Sequence, residues 1–259
     1  MMVETNGTGE TVEGPYAQTL GRGIEVLELL AARPRSARAV GDALGLNRST
    51  AYRLVQTLLA HGLIQRDGLD DKVYRLTPRL WELGVGTLAP SEIRMAAGRE
   101  VRALADKYGE SVHLAIYHDR EAVYIDKADG WQPIGSYTRL GGRAPAYCVA
   151  TGKALLAYQT SDEVQNVIEA GLEPHTPTTV SQGERLMEAL TEIRSQGFAV
   201  NRGEWRSDVS GMAVPLFDAN MLPVAALGFS GPTERTLARQ DELLPALQEA
   251  ALRIAGHPS

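Results

Sequence analysis

The sequence is poor in cysteine, and that scarcity limits its chemistry. Its one thiol, Cys148, excludes an internal disulfide and points to a reducing, cytoplasmic setting. No run of about 18 apolar residues occurs, so no membrane-spanning helix is expected. A secretory leader needs a basic start and an apolar stretch. The opening MMVETNGTGETVEG has neither, and residues 1–17 are expected to form a disordered tail.

Metal and catalytic signatures are equally thin. The histidines are His61, His113, His118, His175 and His257; none has H-E-x-x-H spacing, and one cysteine cannot build a zinc finger. No G-x-S-x-G elbow occurs. The segment ending TGKA departs from a phosphate-binding loop, because Tyr147 stands at the first glycine and Ala154 at the final hydroxyl. Cys148 with His113 or His175 is one conceivable nucleophile and base. A lone thiol in an apolar stretch reads more simply as buried packing. No catalytic residue, metal or cofactor is therefore expected.

A chain of 259 residues is long enough for two modest domains. The net charge of −6 argues at first against a nucleic-acid partner, but the charge is unevenly distributed. Residues 20–80 hold ten Lys/Arg against six Asp/Glu, a balance of +4. Residues 81–259 hold sixteen against twenty-three, a balance of −7, and residues 1–19 add three acids. Phosphate binding responds to the local field, so a basic module on an acidic body is compatible with DNA.

Within that module, Leu20 to Ala32 repeats apolar residues at Leu20, Ile24, Val26, Leu27, Leu29 and Leu30, as a helix with one broad buried face does. Pro34 ends it. Ser36 can cap a second helix with Ala39, Val40, Ala43 and Leu44 on one side, closed by Gly45. Asn47 can cap a third helix that runs to about His61 and stops at Gly62. Its core face is Ala51, Leu54, Val55, Leu58 and Leu59. The opposite face carries Arg48, Ser49, Thr50, Tyr52, Arg53, Gln56 and Thr57, with no acid among them. Hydroxyls and a helix N-terminus suit phosphates, while arginine and glutamine can read base edges. The order of three helices around a glycine turn is that of a helix-turn-helix.

Residues 63–76, LIQRDGLDDKVYRL, follow directly. Leu63–Arg66 and Val73–Leu76 alternate like strands around a turn-rich Asp67–Lys72, forming a hairpin wing with Lys72 and Arg75 available to DNA. A small helical bundle with a solvated polar face is the competing reading. The wing and the local positive charge weigh against it. Leu80–Gly86 continues as a linking helix with Trp81 and Leu83 as packing residues.

Beyond it, Glu92–Tyr108 is a helix, and Ser111–Tyr117 and Ala122–Lys127 form a hairpin about His118–Glu121. Helices are expected at Ala150–Gln159, Ser161–Ala170 and Gln182–Gln196, with strands at Phe198–Asn201, Gly211–Leu216 and Val224–Ser230 and a last helix from Thr233. This mixture is α+β. The boundaries read as a winged helix-turn-helix domain over 18–79, a linker over 80–91 and a larger domain over 92–259. Gly141, Gly142 and Pro145 lead to a helix starting near Ala150, with Thr151, Gly152 and Lys153 in its first turn. Such a start can receive a carboxylate, or it can be a simply capped helix.

The pieces TLGRGIEVLELL, LGLNRSTAYRLVQTLLAHGLIQR and YRLTPRLWELG resemble the IclR family of transcription regulators. The resemblance continues in order through GESVHLAIYHDREAVYIDKADG, GGRAPAYCVATGKALLA, TPTTV, IRSQGFAVNRGE and AVPLFDANMLPVAALGFSGP, covering about residues 18–256. It implies a GAF-like effector-binding domain after the winged helix, a palindromic double-stranded DNA operator, and a homodimer, often a dimer of dimers. It implies an effector pocket at Ser136, Ala144, Ala150, Thr151, Asn201, Gly211, Gly228 and Ser230. This chain departs from the family pattern at Val149, Tyr147, Asn201 and Gly228, where serine or threonine, histidine, aspartate and serine are usual. Those changes imply a roomier, less acidic pocket for a larger or aromatic organic acid. Two other readings are an enzyme of small-acid metabolism and a protein-interaction adaptor.

Overall fold

A computed structural model describes residues 17–68, 70–84, 91–132, 138–218 and 220–255. Most of the expected tail, the end of the linking helix and Ser136 lie outside the described residues. The chain divides into two compact units, residues 1–88 and 89–259.

The first unit begins with α1 (Gln18–Ala32), followed by a two-residue strand β1 (Arg35–Ser36) and α2 (Ala37–Ala43). The Ser36 hydroxyl accepts from the Ala39 amide at 3.2 Å, and Gly45 takes the left-handed backbone that closes the turn. In α3 (Arg48–Ala60), Asn47 Oδ1 accepts from the Thr50 amide at 2.8 Å. Val26, Leu30, Val40, Leu54, Val55 and Leu58 form the core with Ile64 and Tyr74 of the hairpin strands β2 (Ile64–Asp67) and β3 (Asp70–Leu76). β3 starts at Asp70, earlier than the expected Val73, and pairs it with Asp67 beyond a register irregularity after Arg66. β1 adds a third strand, pairing Arg35 with Tyr74, which two residues gave no periodicity to foresee. Leu20 and Ile24, expected in the buried face of α1, are exposed, and so is Ala43. The short helix α4 (Arg79–Gly84) leaves Trp81 and Leu83, the expected packing residues of the linking helix, exposed in the single chain.

The second unit opens with α5 (Ser91–Tyr108) and the hairpin β4 (Ser111–His118) and β5 (Glu121–Ala128). Asp119 and Arg120 both take positive φ at its tip, which matches a tight turn of the primed kind. Then come β6 (Arg143–Pro145), α6 (Ala150–Leu156), α7 (Ser161–Glu169), α8 (Gly183–Gln196), β7 (Ala199–Arg206), β8 (Val209–Phe217) and β9 (Pro223–Pro232). The strands form one antiparallel sheet in the order β6-β5-β4-β9-β8-β7. The last helix is two, α9 (Thr233–Ala238) and α10 (Gln240–Ala255). At the break, the Arg239 guanidinium binds Tyr108 O, Glu110 and Glu242, tying the chain back to the start of β4. The architecture is α+β.

Alternate residues of β9 serve opposite faces of the sheet. Phe229 meets Tyr108 of α5 edge to face at 5.6 Å. A Cβ on its neighbour Gly228 would lie 3.2 Å from Thr151 Cγ2 of α6. The close approach has a second contributor in Gly152, where a Cβ would fall 2.5 Å from Ala146 Cα. These two glycines let α6, buried along its whole length, lie close on the sheet.

Candidate functional site

The polar face of α3 is the first candidate. Arg48, Ser49, Tyr52, Arg53 and Thr57 are exposed, while Thr50 and Gln56 are half-buried. The Thr57 hydroxyl donates to Arg53 O at 2.9 Å, so it is engaged within the helix. Gln56 Nε2 is buried without a partner among the described residues. The residues free to reach outward are thus the arginines, Ser49 and Tyr52. In the wing, Lys72 and Arg75 are exposed on β3.

The second candidate is a cavity of about 190 Å³ in the second unit. It lies where α6 begins, against the sheet and the loop before β6. Six of the eight residues implied for an effector pocket line it: Ala150, Thr151, Asn201, Gly211, Gly228 and Ser230. Ala144 is not in the lining; it is buried in a cluster with Ala115, Ala122, Tyr124 and Val149. Strand register brings several of these residues together. His113 pairs with Gly228, Ser230 with Gly211, and Gly211 with Asn201.

The lining also contains residues that sequence reasoning missed: His113, Tyr124, Thr138, Arg139, Arg143, Trp205, Arg206, Val209 and Phe229. A signal existed for some of them. His113 lies two residues after Ser111 on β4 and so shares its face, and Arg139 and Arg143 flank the Gly141-Gly142 turn. Trp205 and Arg206 were hidden because β7 runs past Asn201 through an irregularity in which Gly203 has positive φ.

Two sequence inferences about the pocket need correction. Tyr147 is absent from the lining; its phenol donates to Glu173 O at 3.0 Å and lies 3.2 Å from His175 Nε2. Gly228 does not simply add room. A Cβ there would also meet Met212 O at 2.7 Å, so the glycine permits the approach of α6.

Charge is graded through the cavity. His113, Thr151 and Asn201 are buried and uncharged in character, while Arg139, Arg143 and Arg206 are exposed. Arg143 pairs with Glu121 at 2.8 Å, and Arg206 lies over the Trp205 ring. Burial, with the Lys127 ammonium nearby, pushes His113 down to about 3, so its ring is neutral; Asp129 opposes this weakly. His113 Nδ1 lies 3.2 Å from Ser230 Oγ. Burial raises the Tyr124 phenol, and the neighbouring Thr151 hydroxyl lowers it in part without closing a hydrogen bond of regular geometry. The Asn201 side-chain oxygen accepts from the Glu204 amide at 2.8 Å, which holds the irregular part of β7.

Cys148 is buried, and burial pushes its thiol up to about 12. That is the reverse of an activated nucleophile. The hydrogen bonds of His113 and His175 go to Ser230 and Tyr147.

Residues 85–256 match the family model for the C-terminal domain of the bacterial transcriptional regulator IclR, and residues 19–68 match the IclR helix-turn-helix domain. Among curated relatives, the HTH-type transcriptional regulator XynR of Escherichia coli K12 is 32% identical over 95% of this chain and 100% of its own length. The regulator KdgR of the same organism is 34% identical over 81% of this chain and 80% of its own. Among solved structures, the Thermotoga maritima IclR superposes with a TM-score of 0.76 at 30% identity, covering 93% of this chain and 98% of that one. An IclR homologue from Microbacterium hydrocarbonoxydans, solved in complex with 4-hydroxybenzoate, gives a TM-score of 0.81 at 25% identity, covering 92% and 98%. These relatives are named as regulators of transcription, which sets the metabolic-enzyme reading aside.

Proposed function

We infer that this chain, which belongs to the IclR family of bacterial transcriptional regulators, binds a palindromic operator as a dimer and changes its grip on that DNA when a small organic acid enters the cavity of its second unit. One observation carries the choice of ligand. The cavity is lined by Arg139, Arg143 and Arg206, of which Arg143 is paired with Glu121, and among the described residues no carboxylate lines it. That balance favours an anion. A volume of about 190 Å³ is of the order that accommodates a single ring. The homologue solved with 4-hydroxybenzoate supports a ring acid.

Operator reading falls to the acid-free face of α3, with the wing on the phosphate backbone. One winged helix reads one half-site, so a palindrome calls for two copies. The exposed Leu20, Ile24, Trp81 and Leu83 of the first unit supply apolar surface for such pairing. The acid acts by binding one arrangement of the dimer more tightly than another.

The test is an anisotropy titration of labelled duplex from the DNA upstream of this chain's own coding sequence, against a scrambled duplex, with and without ring acids. Sequence-selective binding that weakens with salt and shifts about fivefold or more with acid is the expected result. Equal affinity for the scrambled duplex would sink operator recognition. A monomeric complex in sedimentation would sink the dimer.

A further inference from the structure

We propose that Tyr52 reads a thymine 5-methyl group in the major groove, so that each operator half-site holds a thymine where α3 sets this ring. The proposal rests on the reading of α3 as the operator-binding helix.

Helical period decides which residues of α3 share the outward arc. Ser49, Tyr52, Arg53 and Gln56 stand at i, i+3, i+4 and i+7, and at 3.6 residues per turn they fall within about 100° of one another. The buried Ala51, Leu54, Val55 and Leu58 occupy the other side. Ser49 is short and Gln56 is half-buried, so Tyr52 and Arg53 are the long exposed side chains of the group. Tyr52 is 54% exposed. Among the described residues its hydroxyl has no hydrogen-bond partner and its ring no aromatic or cationic neighbour.

A lone exposed apolar group is ordinary on a protein surface. The setting of this one is informative. Its neighbours on the arc are polar or cationic, and phosphates or polar base edges can match each of them. The phenol ring has a different requirement. In the major groove the apolar group that base pairs present is the thymine 5-methyl. Against any other edge the ring would strip water from polar groups and return no hydrogen bond. The favourable register is the one that sets it on a methyl.

The hydroxyl offers a rival contact, a phosphate oxygen. Two features of placement favour the base. Arg48 and Thr57 mark the borders of the exposed arc, and Tyr52 lies inside them. Tyr52 is also the fifth residue of α3, near the N-terminal end that meets base edges in a helix-turn-helix.

The test uses the full-length protein and the duplex it protects in footprinting of the DNA upstream of its coding sequence. Thymines are replaced by uracil in symmetric pairs, which removes the methyl and keeps every hydrogen bond. One pair should weaken binding about tenfold or more, from about fourfold per half-site, the weight of one buried methyl-sized group. Tyr52→Ala should weaken binding to the thymine duplex and make that replacement silent. Tyr52→Phe, which keeps the ring, should retain both the affinity and the uracil effect. Both variants should keep the melting temperature and sedimentation of the wild type, because the side chain is exposed. A protected duplex with no methyl-sensitive thymine overturns the proposal, and so does a uracil effect that survives Tyr52→Ala. Equal losses in Tyr52→Phe and Tyr52→Ala would assign the hydroxyl to phosphate instead. A dissociated Tyr52→Ala would place the ring between subunits, which also overturns it. Selective binding without a methyl effect leaves operator reading intact and defeats only this proposal. Absence of any protected duplex defeats both.

Discussion

Lys153 on α6 and Glu204 on β7 form a buried ion pair, with the ammonium 2.6 and 2.7 Å from the two carboxylate oxygens. The pair joins the helix that floors the cavity to the strand that carries Asn201, Trp205 and Arg206. The same stretch of β7 is gripped from the other side. The hydroxyls of Thr176, Thr178 and Thr179 donate to the backbone carbonyls of Arg202, Gly203 and Glu204. An irregular strand cannot satisfy all its own backbone groups in a ladder, so side chains complete the set.

Removing one partner of the pair strands the other's charge in the interior. Lys153→Met is expected to cost about 3–5 kcal/mol in urea unfolding. Replacing both residues, as Lys153→Met with Glu204→Leu, should recover much of that loss, because an apolar pair leaves no orphan charge. A double variant no more stable than the single one would refute this account.

For DNA, Arg53 is the informative position, exposed in the middle of α3. Arg53→Ala should leave thermal unfolding unchanged and weaken operator binding. A contact to a base predicts a loss of about 1–3 kcal/mol that depends on sequence. A phosphate contact predicts a similar loss on all duplexes and a shallower salt dependence. Unchanged operator affinity in a gel-shift titration removes Arg53 from the interface.

His113 makes stability depend on pH in a stated direction. In the unfolded chain the ring titrates near 6.5, and in the fold near 3, so between those values the unfolded state binds more protons. Stability is therefore complete above about pH 6.5 and falls as pH drops toward 3. From pH 7.5 to 5.0 the ring should cost about 2 kcal/mol, at 1.4 kcal/mol per unit. His113→Asn should lose that share of the slope in urea titrations at the two pH values. An identical slope in the variant would place the proton uptake elsewhere.

Gly152 tests the contact between α6 and its approach segment. A Cβ there would sit 2.5 Å from both Ala146 Cα and Ala146 O, with backbone rather than a pliable side chain in the way. Gly152→Ala is expected to destabilise the protein by about 1–3 kcal/mol, although alanine is the better helix former. A more stable variant in thermal melts would show that the segment moves aside freely.

The first unit was legible in residues alone because its signals are local. A cap and a glycine lie within a few positions of the helix they bound, so Ser36, Asn47, Gly45 and Gly62 mark the helix ends that the structure has. The 3.6-residue period likewise sorted α3 into Ala51, Leu54, Val55 and Leu58 on one side and the arginines on the other. Periodicity could not tell that Leu20 and Ile24 stay uncovered, because it records a face's polarity and not what lies against it.

The cavity depended on tertiary structure. His113, Arg143, Trp205 and Ser230 come from four strands spread over more than a hundred residues, and only sheet register and the closeness of α6 bring them around one space. Gly228 shows the difference most plainly. In sequence it read as an added vacancy; in the fold its missing Cβ is taken up by Thr151, Ala213 and the Met212 carbonyl. Tyr147 read as part of the pocket wall and turned away to Glu173 and His175. A residue's type settles what it can bond, but the direction of its side chain is set by packing against distant chain, which no local spacing encodes.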